Sequence, residues 1–452
     1  LFLPTFALVL AGFSSAARIE LSRDDKTQPS LEAELEHMHQ KYYAISKIHH
    51  NRTGEHLNVL NMDFFNKQKR AHGKTHLRIS KAWSGHMEVG FPPQKTTAVF
   101  DTGSADLVFD EPDYDPKKSL TSKNLHKTFD FDYYDHHVEG DLYSDRVAIG
   151  GVEAWNVAVG RGKEDYTKDV TGAIFGLSFS TTDRSFFDVK EDPFIWAAKK
   201  QHLIQSSTYQ FTLRPNGKAS LNVGNVDFSE LNSLIHWSDK ITDSTFWRAD
   251  VKLNGHPIKN AILDTGTTVI AGPNEEVGKF LKKLDGIKVE QHDGGIYYGF
   301  YDCKNPPRME FEVFGKKLVF PTAAMQQAYD GDKCTLSIIG SKVINDWILG
   351  SPFFEIGSFI LNYDVRRMGV AQFISFATLP SIGDTMWHAI SSMYIQPAQL
   401  AIPFIDTLIA RTSLHIITLR HYQVGQIRWA SAAQRPYIIA VRIHALVRPI
   451  SF

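Results

Sequence analysis

From Trp83 onward the chain reads as short apolar runs broken by Gly, Pro, Asn and Asp. Glu88-Val89-Gly90-Phe91, Thr97-Ala98-Val99-Phe100, Arg146-Val147-Ala148-Ile149 and Tyr209-Gln210-Phe211-Thr212-Leu213 have the length and β-branched or aromatic content of strands, so the predicted body is all-β. Two stretches predict helices instead, Pro193 to Leu203 and Asn274 to Leu284. In the second, Asn274 stands as the cap, and Val277, Phe280, Leu281 and Leu284 share one face. Upstream of the body, Leu31, Leu35, Met38, Tyr42 and Ile45 recur at helical spacing and predict a short amphipathic helix.

The two ends differ from this pattern. Leu1 to Gly12 is almost wholly apolar and Ser14-Ser15-Ala16-Ala17 follows, so residues 1–17 read as a secretory signal peptide, too short for a membrane anchor. No initiating Met or basic leader precedes it, and the true start is expected upstream. Residues 18–70 are polar, rich in His and net basic, carry the sequon Asn51-Arg52-Thr53, and end in Lys67-Gln68-Lys69-Arg70. A basic, helix-bearing leader closed by a dibasic pair reads as a propeptide cut after Arg70, leaving Ala71 as the mature start; the plainer alternative is a solvated basic linker. Residues 377–452 hold Arg but no Lys, Glu or Cys, with Asp384 and Asp406 as their acids. That skew is expected of translated non-coding sequence rather than of a domain. The uncharged stretch Thr385 to Ile405 contains two prolines, two glutamines and a histidine, which argues against a membrane span.

With 452 residues the chain exceeds one ordinary core and fits two or three domains. A net charge of −1 gives no pointer to nucleic acid. Only Cys303 and Cys334 are present. In a secreted chain they are expected to form one disulfide, worth about 3–4 kcal/mol in the chain-entropy account, and so far apart, without a histidine cluster, they are a poor zinc site.

An internal repeat organises the body. Ala98-Val99-Phe100-Asp101-Thr102-Gly103-Ser104 returns as Ala261-Ile262-Leu263-Asp264-Thr265-Gly266-Thr267, and each copy is followed by two apolar residues and a glycine, Ile174-Phe175-Gly176 and Ile348-Leu349-Gly350. Two similar lobes, 71–215 and 216–376, are expected to meet near Arg214-Pro215-Asn216-Gly217, each contributing one aspartate. A single Asp-Thr-Gly means little, because Asp and Gly are turn formers. Two copies behind apolar strands are different: each strand carries a carboxylate into a site with little water, and Gly leaves its N–H free to donate. Carboxylates that close cannot both ionise, so they share a proton. One can then deprotonate a water while the other protonates a carbonyl oxygen, with no nucleophilic Ser or Cys, no metal and no cofactor. The sequence has no G-x-S-x-G elbow. A glycosidase also uses two carboxylates but has no reason to place them on duplicated loops.

These motifs, with the Tyr133 region, Gly172-Ala173-Ile174-Phe175-Gly176-Leu177, the Cys303/Cys334 pair and Trp347-Ile348-Leu349-Gly350, resemble the pepsin-like aspartic endopeptidase family over about Trp83 to Phe376, in its secreted, fungal-type zymogen form. The resemblance implies a bilobal, pseudo-twofold all-β fold with a few short helices and a long cleft. It implies catalytic Asp101 and Asp264, Ser104 and Thr267 hydrogen-bonded to the outer carboxylate oxygens, and Thr102 and Thr265 tying the loops together beside Gly103 and Gly266. A flap of Tyr133, Tyr134 and Asp135 would close over substrate. Implied partners are polypeptide substrates and the chain's own propeptide, with no nucleic acid, no membrane and a monomeric state. The place is extracellular, or vacuolar by the secretory route. The chain departs from the family pattern where Tyr134, His136 and His137 replace small flap residues and Val108 stands where a Trp is common. His136 and His137, adjacent on a hairpin, point to opposite faces and make a poor metal site. The rival reading is a catalytically silent binding protein on the same scaffold, against which both intact Asp-Thr-Gly loops speak.

Overall fold

The computed structural model describes residues 17–23, 31–63, 82–133, 136–163, 172–179, 187–215, 218–242, 246–292 and 295–374, with the side chains of 131–137 and 329 outside that description. The signal-peptide residues 1–16, the dibasic site at 67–70 and the tail 377–452 lie outside the described residues.

The predicted strands appear with shifted ends. Glu88 and Val89 close the strand Ser84–Val89, which Gly90 ends by adopting a positive φ of 77°. Thr97 to Phe100 lies within Gln94–Asp101, Arg146 to Ile149 within His136–Ile149, and Tyr209 to Thr212 within Thr208–Thr212. Most strands belong to two sheets, one of thirteen strands and one of ten. The architecture is mainly β with few helices, as expected of the bilobal pepsin-like fold. The strands on either side of the turn at 214–217, Thr208–Thr212 and Ala219–Val223, pair antiparallel within the larger sheet. The smaller sheet begins with Arg248–Leu253.

The repeat seen in the sequence is a repeat of pairing. Gln94–Asp101 runs parallel to Ala173–Gly176, with Phe100 opposite Phe175 and Asp101 opposite Gly176. In the smaller sheet His256–Leu263 runs parallel to Ile348–Leu349, with Ile262 opposite Ile348 and Leu263 opposite Leu349. Each aspartate thus ends an apolar strand whose parallel neighbour is the apolar-apolar-Gly segment. Trp247 joins the two arrangements: its indole N–H donates to the Leu177 carbonyl at 2.9 Å, and its carbonyl accepts from the Leu263 N–H at 2.8 Å. Phe179 and Tyr363 pack on the same indole.

Both body helices are shorter than predicted. One is Phe194–Lys200, and the chain leaves it through a left-handed His202 (φ 58°). The other is Asn274–Leu281, in which Asn274 is the first helical residue; Pro273 holds the cap position and no side chain caps the helix. Val277, Phe280 and Leu281 are buried as predicted, and Leu284 packs against the core from beyond the helix end.

Residues 18–23 and 31–63 do not stand apart from the body. Ala17–Ser22 is a strand inside the larger sheet, between Ala219–Val223 and Ser84–Val89, with Ile19 opposite Leu221 and Leu21 opposite both Ala219 and Gly85. Ile19 and Leu21 face the main core, while Arg18 Nη1 reaches the buried Glu230 carboxylate at 2.5 Å. The predicted amphipathic helix is Leu31–Thr53, longer than its apolar stripe. That stripe, Leu31, Leu35, Met38, Tyr42 and Ile45, lies in one cluster with Phe246, Ile262, Ile339 and Ile348 of the second half. The Cys303–Cys334 disulfide is formed.

Candidate active site

Asp101 and Asp264 come together because each is the polar end of a buried strand. Ala98, Val99 and Phe100 precede the first, and Ala261, Ile262 and Leu263, all fully buried, precede the second. The loops that follow interlock. The Thr102 hydroxyl donates to the Leu263 carbonyl at 2.8 Å and accepts from the Thr265 N–H at 2.9 Å. In return, the Thr265 hydroxyl donates to the Phe100 carbonyl at 2.6 Å and accepts from the Thr102 N–H at 3.0 Å. Four bonds thus cross between strand ends that are 163 residues apart in sequence. The Gly103 N–H donates to Asp101 Oδ1 at 2.9 Å and the Gly266 N–H to Asp264 Oδ1 at 3.0 Å. Glycine is required by space as well. A Cβ on Gly103 would stand 2.5 Å from the Asp264 carboxyl, and one on Gly266 would stand 2.3 Å from Asp101 Oδ1.

The outer oxygens differ. The Thr267 hydroxyl donates to Asp264 Oδ2 at 2.6 Å. The Ser104 hydroxyl, expected to serve Asp101 in the same way, is buried and has no hydrogen-bond partner among the described residues.

Sequence reasoning missed the group that fills this site. Lys41, on the Leu31–Thr53 helix, is 4% exposed, and its Nζ lies 2.7 Å from Asp101 Oδ1 and 2.8 Å from Asp264 Oδ1. The neighbouring Tyr42 hydroxyl donates to Asp264 Oδ2 at 2.9 Å. The available signal was a lone Lys set into the apolar stripe beside Tyr42, on a helix otherwise rich in polar residues. The same helix reaches further into the second half through Glu32 to the Tyr298 hydroxyl (3.0 Å), Glu34 to the Thr268 hydroxyl, and His39 Nε2 to Ser341 Oγ (3.2 Å). Towards the first half, Ala44 and Ile48 enter an apolar cluster with Phe129, Val138, Leu142 and Phe187, against which Val108 packs half-buried.

The two carboxyls titrate apart. Burial pushes Asp101 up, which the nearby Lys41 charge opposes and the Asp264 charge reinforces, and its pKa stands at about 6. Burial also pushes Asp264 up. The Lys41 charge and hydrogen bonds from Asp101, Lys41 and Thr267 outweigh that push and hold it well below the ordinary carboxylate range. Lys41 loses charge stability by burial and regains more from the two carboxylates, so its pKa is raised. Below about pH 6 the site is therefore an ammonium held by one ionised and one protonated carboxyl, and near neutral pH both carboxyls are mainly ionised around it.

Of the predicted flap, Tyr133 ends the strand Lys123–Tyr133 and pairs with His136, the first residue of His136–Ile149. Tyr134 and Asp135 lie outside the described residues. Among the described residues no group of His, Cys, Asp and Glu could hold a metal ion, and no helix is long and apolar enough to cross a membrane.

The structure thus brings together a pair of strand-end aspartates on interlocked, duplicated loops. Residues 82–373 match the family model for eukaryotic aspartyl proteases, and the chain belongs to that family as an aspartic-type endopeptidase. It is 33% identical over 293 residues to secreted aspartyl protease 1 of Malassezia globosa, covering 64% of this chain and 73% of that one. It is 29% identical over 312 residues to a probable inactive secreted aspartyl protease of the same organism, covering 64% and 78%. It is 26% identical over 324 residues to chymosin of Camelus dromedarius, covering 66% and 82%.

Proposed function

We propose that the chain is the zymogen of a secreted, acid-active endopeptidase, and that this structure is its latent state. The observation that carries the reading is Lys41 Nζ, which sits within hydrogen-bonding distance of both aspartates and so occupies the place a substrate carbonyl and its attacking water would need. Residues 1–17 act as signal peptide and 18–70 as propeptide; similarity to secreted aspartyl protease 1 of Malassezia globosa supports the extracellular route. The body comprises lobes 71–215 and 216–376, and residues 377–452 are dispensable.

Once the Leu31–Thr53 helix leaves, Asp101 and Asp264 bind a water between them. The ionised carboxylate of the pair takes a proton as the water attacks the scissile carbonyl, and the protonated one donates to the carbonyl oxygen. The Thr102–Thr265 lattice and the Gly103 and Gly266 N–H groups hold both carboxyls in place without further reorganisation. Tyr133 shields the reacting carbonyl from bulk water. Intact Asp-Thr-Gly loops favour catalysis over a silent scaffold. The test is hydrolysis of a denatured protein by acid-treated, purified chain, with Asp101→Asn and Asp264→Asn as controls. Each variant keeps its shape and loses the shared proton, and activity should fall by about a thousandfold or more, roughly 4 kcal/mol of barrier. Activity within tenfold of the unaltered chain in either variant sinks the mechanism.

A further inference from the structure

The segment after the helix is docked on the body in a manner that blocking the dyad does not require. Val59 and Leu60 are 1% and 3% exposed, in the same apolar cluster as Phe246, Ile296, Ile339 and Ile344. Their backbone adds to the body as a short extra strand. Leu60 faces Ile344 in an antiparallel bridge, the Asn61 N–H donates to the Val343 carbonyl at 2.7 Å, and the Asn345 N–H donates to the Val59 carbonyl at 2.9 Å. The Asn345 side-chain amide donates to Asn58 Oδ1 at 3.2 Å. Backbone bonds of this kind accept any sequence, while the space filled by Val59 and Leu60 selects apolar side chains.

Departure of the propeptide would leave a carbonyl, an N–H and an apolar recess open together on one stretch of chain. We infer that Val343–Asn345 is a peptide-docking site of the mature enzyme, separate from the dyad, which takes an extended polypeptide segment with two consecutive apolar residues. This rests on the reading of residues 18–70 as a removable propeptide. The site is coupled to the chemistry by sequence: Asn345 stands shortly before the strand Ile348–Leu349, and the Leu349 carbonyl accepts the Asp264 N–H at 3.0 Å. A substrate docked here is therefore held by the chain segment that positions the second aspartate.

The experiment uses processed protein whose new N-terminus has been sequenced. Three chromogenic peptides share one scissile region: one ends there, one continues through a Gly-Ser linker into the sequence of residues 57–62, and one carries that extension with Asp at the positions of Val59 and Leu60. The native extension should lower KM about tenfold with kcat unchanged, from burial of two aliphatic side chains, and the Asp extension should behave as the short substrate does. Free peptide of residues 57–62 should abolish the advantage of the extended substrate without slowing the short one. Anisotropy of the same peptide, fluorescently labelled, reads docking without catalysis, and binding should vanish in the Asp-substituted peptide. Equal KM values and no binding overturn the inference, and so does free peptide that inhibits short and extended substrates alike. Acid-treated protein that retains residues 31–63 overturns both this inference and the zymogen reading. Processed protein that cuts the short substrate but ignores the extension overturns this one alone.

Discussion

Thr102 and Thr265 make mirror-image bonds across the two loops, yet Ser104 and Thr267, each three residues beyond its aspartate, behave differently, and the asymmetry spreads outward from them. Each aspartate receives Lys41 and the N–H of its own loop glycine, but Asp264 receives Thr267 and Tyr42 as well. The helix meets the second half through Glu32, Glu34, His39, Tyr42 and its apolar stripe, and the first half mainly through Ala44 and Ile48. Duplication explains the parts that agree, because two copies of one strand-loop unit meeting about a twofold must bond reciprocally. It cannot explain the parts that differ. A single asymmetric segment laid over a symmetric pair has to choose a side, and here it leans on the second half.

The sharpest way to break this arrangement is to remove its one shared contact. Lys41→Met leaves two buried carboxyls under the helix with no cation between them. Removing one partner of a buried ion pair costs about 3–5 kcal/mol, which here weakens helix docking. The unprocessed chain should then hydrolyse peptide near neutral pH, where the unaltered chain should be silent, and the helix should become sensitive to added protease. A Lys41→Met chain as latent as its parent would show that apolar packing alone holds the cleft shut.

What was legible in the sequence follows the same division. The repeat, the disulfide pair and the strand-rich body could be read because each rests on local pattern or on copies of one motif. Lys41 could not be assigned its role, since helical spacing gives the face of a residue but not what that face will meet. The strand Ala17–Ser22 stayed hidden because its partners, Leu221 and Gly85, are distant in sequence, and an exposed-looking Arg-Ile-Glu-Leu alternation becomes a strand only when the sheet receives it. The partnerless Ser104 hydroxyl contrasts with the expectation carried over from the family, which assigned both hydroxyls one task.

The second comparison is therefore between those hydroxyls. Thr267→Val removes a donor to an ionised carboxylate, a bond worth about 1.5–3 kcal/mol, and should raise the Asp264 pKa and cut kcat by tenfold to a hundredfold. Its acid limb in the pH–rate profile should move upward. Ser104→Ala removes a hydroxyl with no partner in the latent state and should leave kcat within about threefold. Equal losses in the two variants would mean that Ser104 turns onto Asp101 once the helix departs, restoring the symmetry absent here.

The smallest effect concerns how acid loosens the helix from the half that holds it. Asp264 is depressed, so its contribution to docking is present above the ordinary carboxylate pKa of about 3.9 and is lost only as pH falls through its lower folded value. Asp101 is raised to about 6, so its contribution has the opposite sign: it is present below about 3.9 and is lost as pH rises through about 6. Between those limits neither aspartate drives release on acidification. His39 does. It is 1% exposed, its Nε2 lies 3.2 Å from Ser341 Oγ, and burial lowers its pKa to about 3. A depressed histidine favours docking fully above its ordinary pKa of about 6.5, and that advantage drains as pH falls towards the folded value, amounting to about 2 kcal/mol lost by pH ~5. His37, lowered by burial and by the Lys41 charge with Asp264 opposing, adds in the same direction. His39→Gln keeps a polar partner for Ser341 and removes the titration. Its helix release, followed by intrinsic tryptophan fluorescence against pH, should have a midpoint about one unit more acid than the parent, with unchanged release at pH 8. An unmoved midpoint would place the trigger elsewhere, and would leave the lean of the helix onto the second half as a matter of packing rather than of acid sensing.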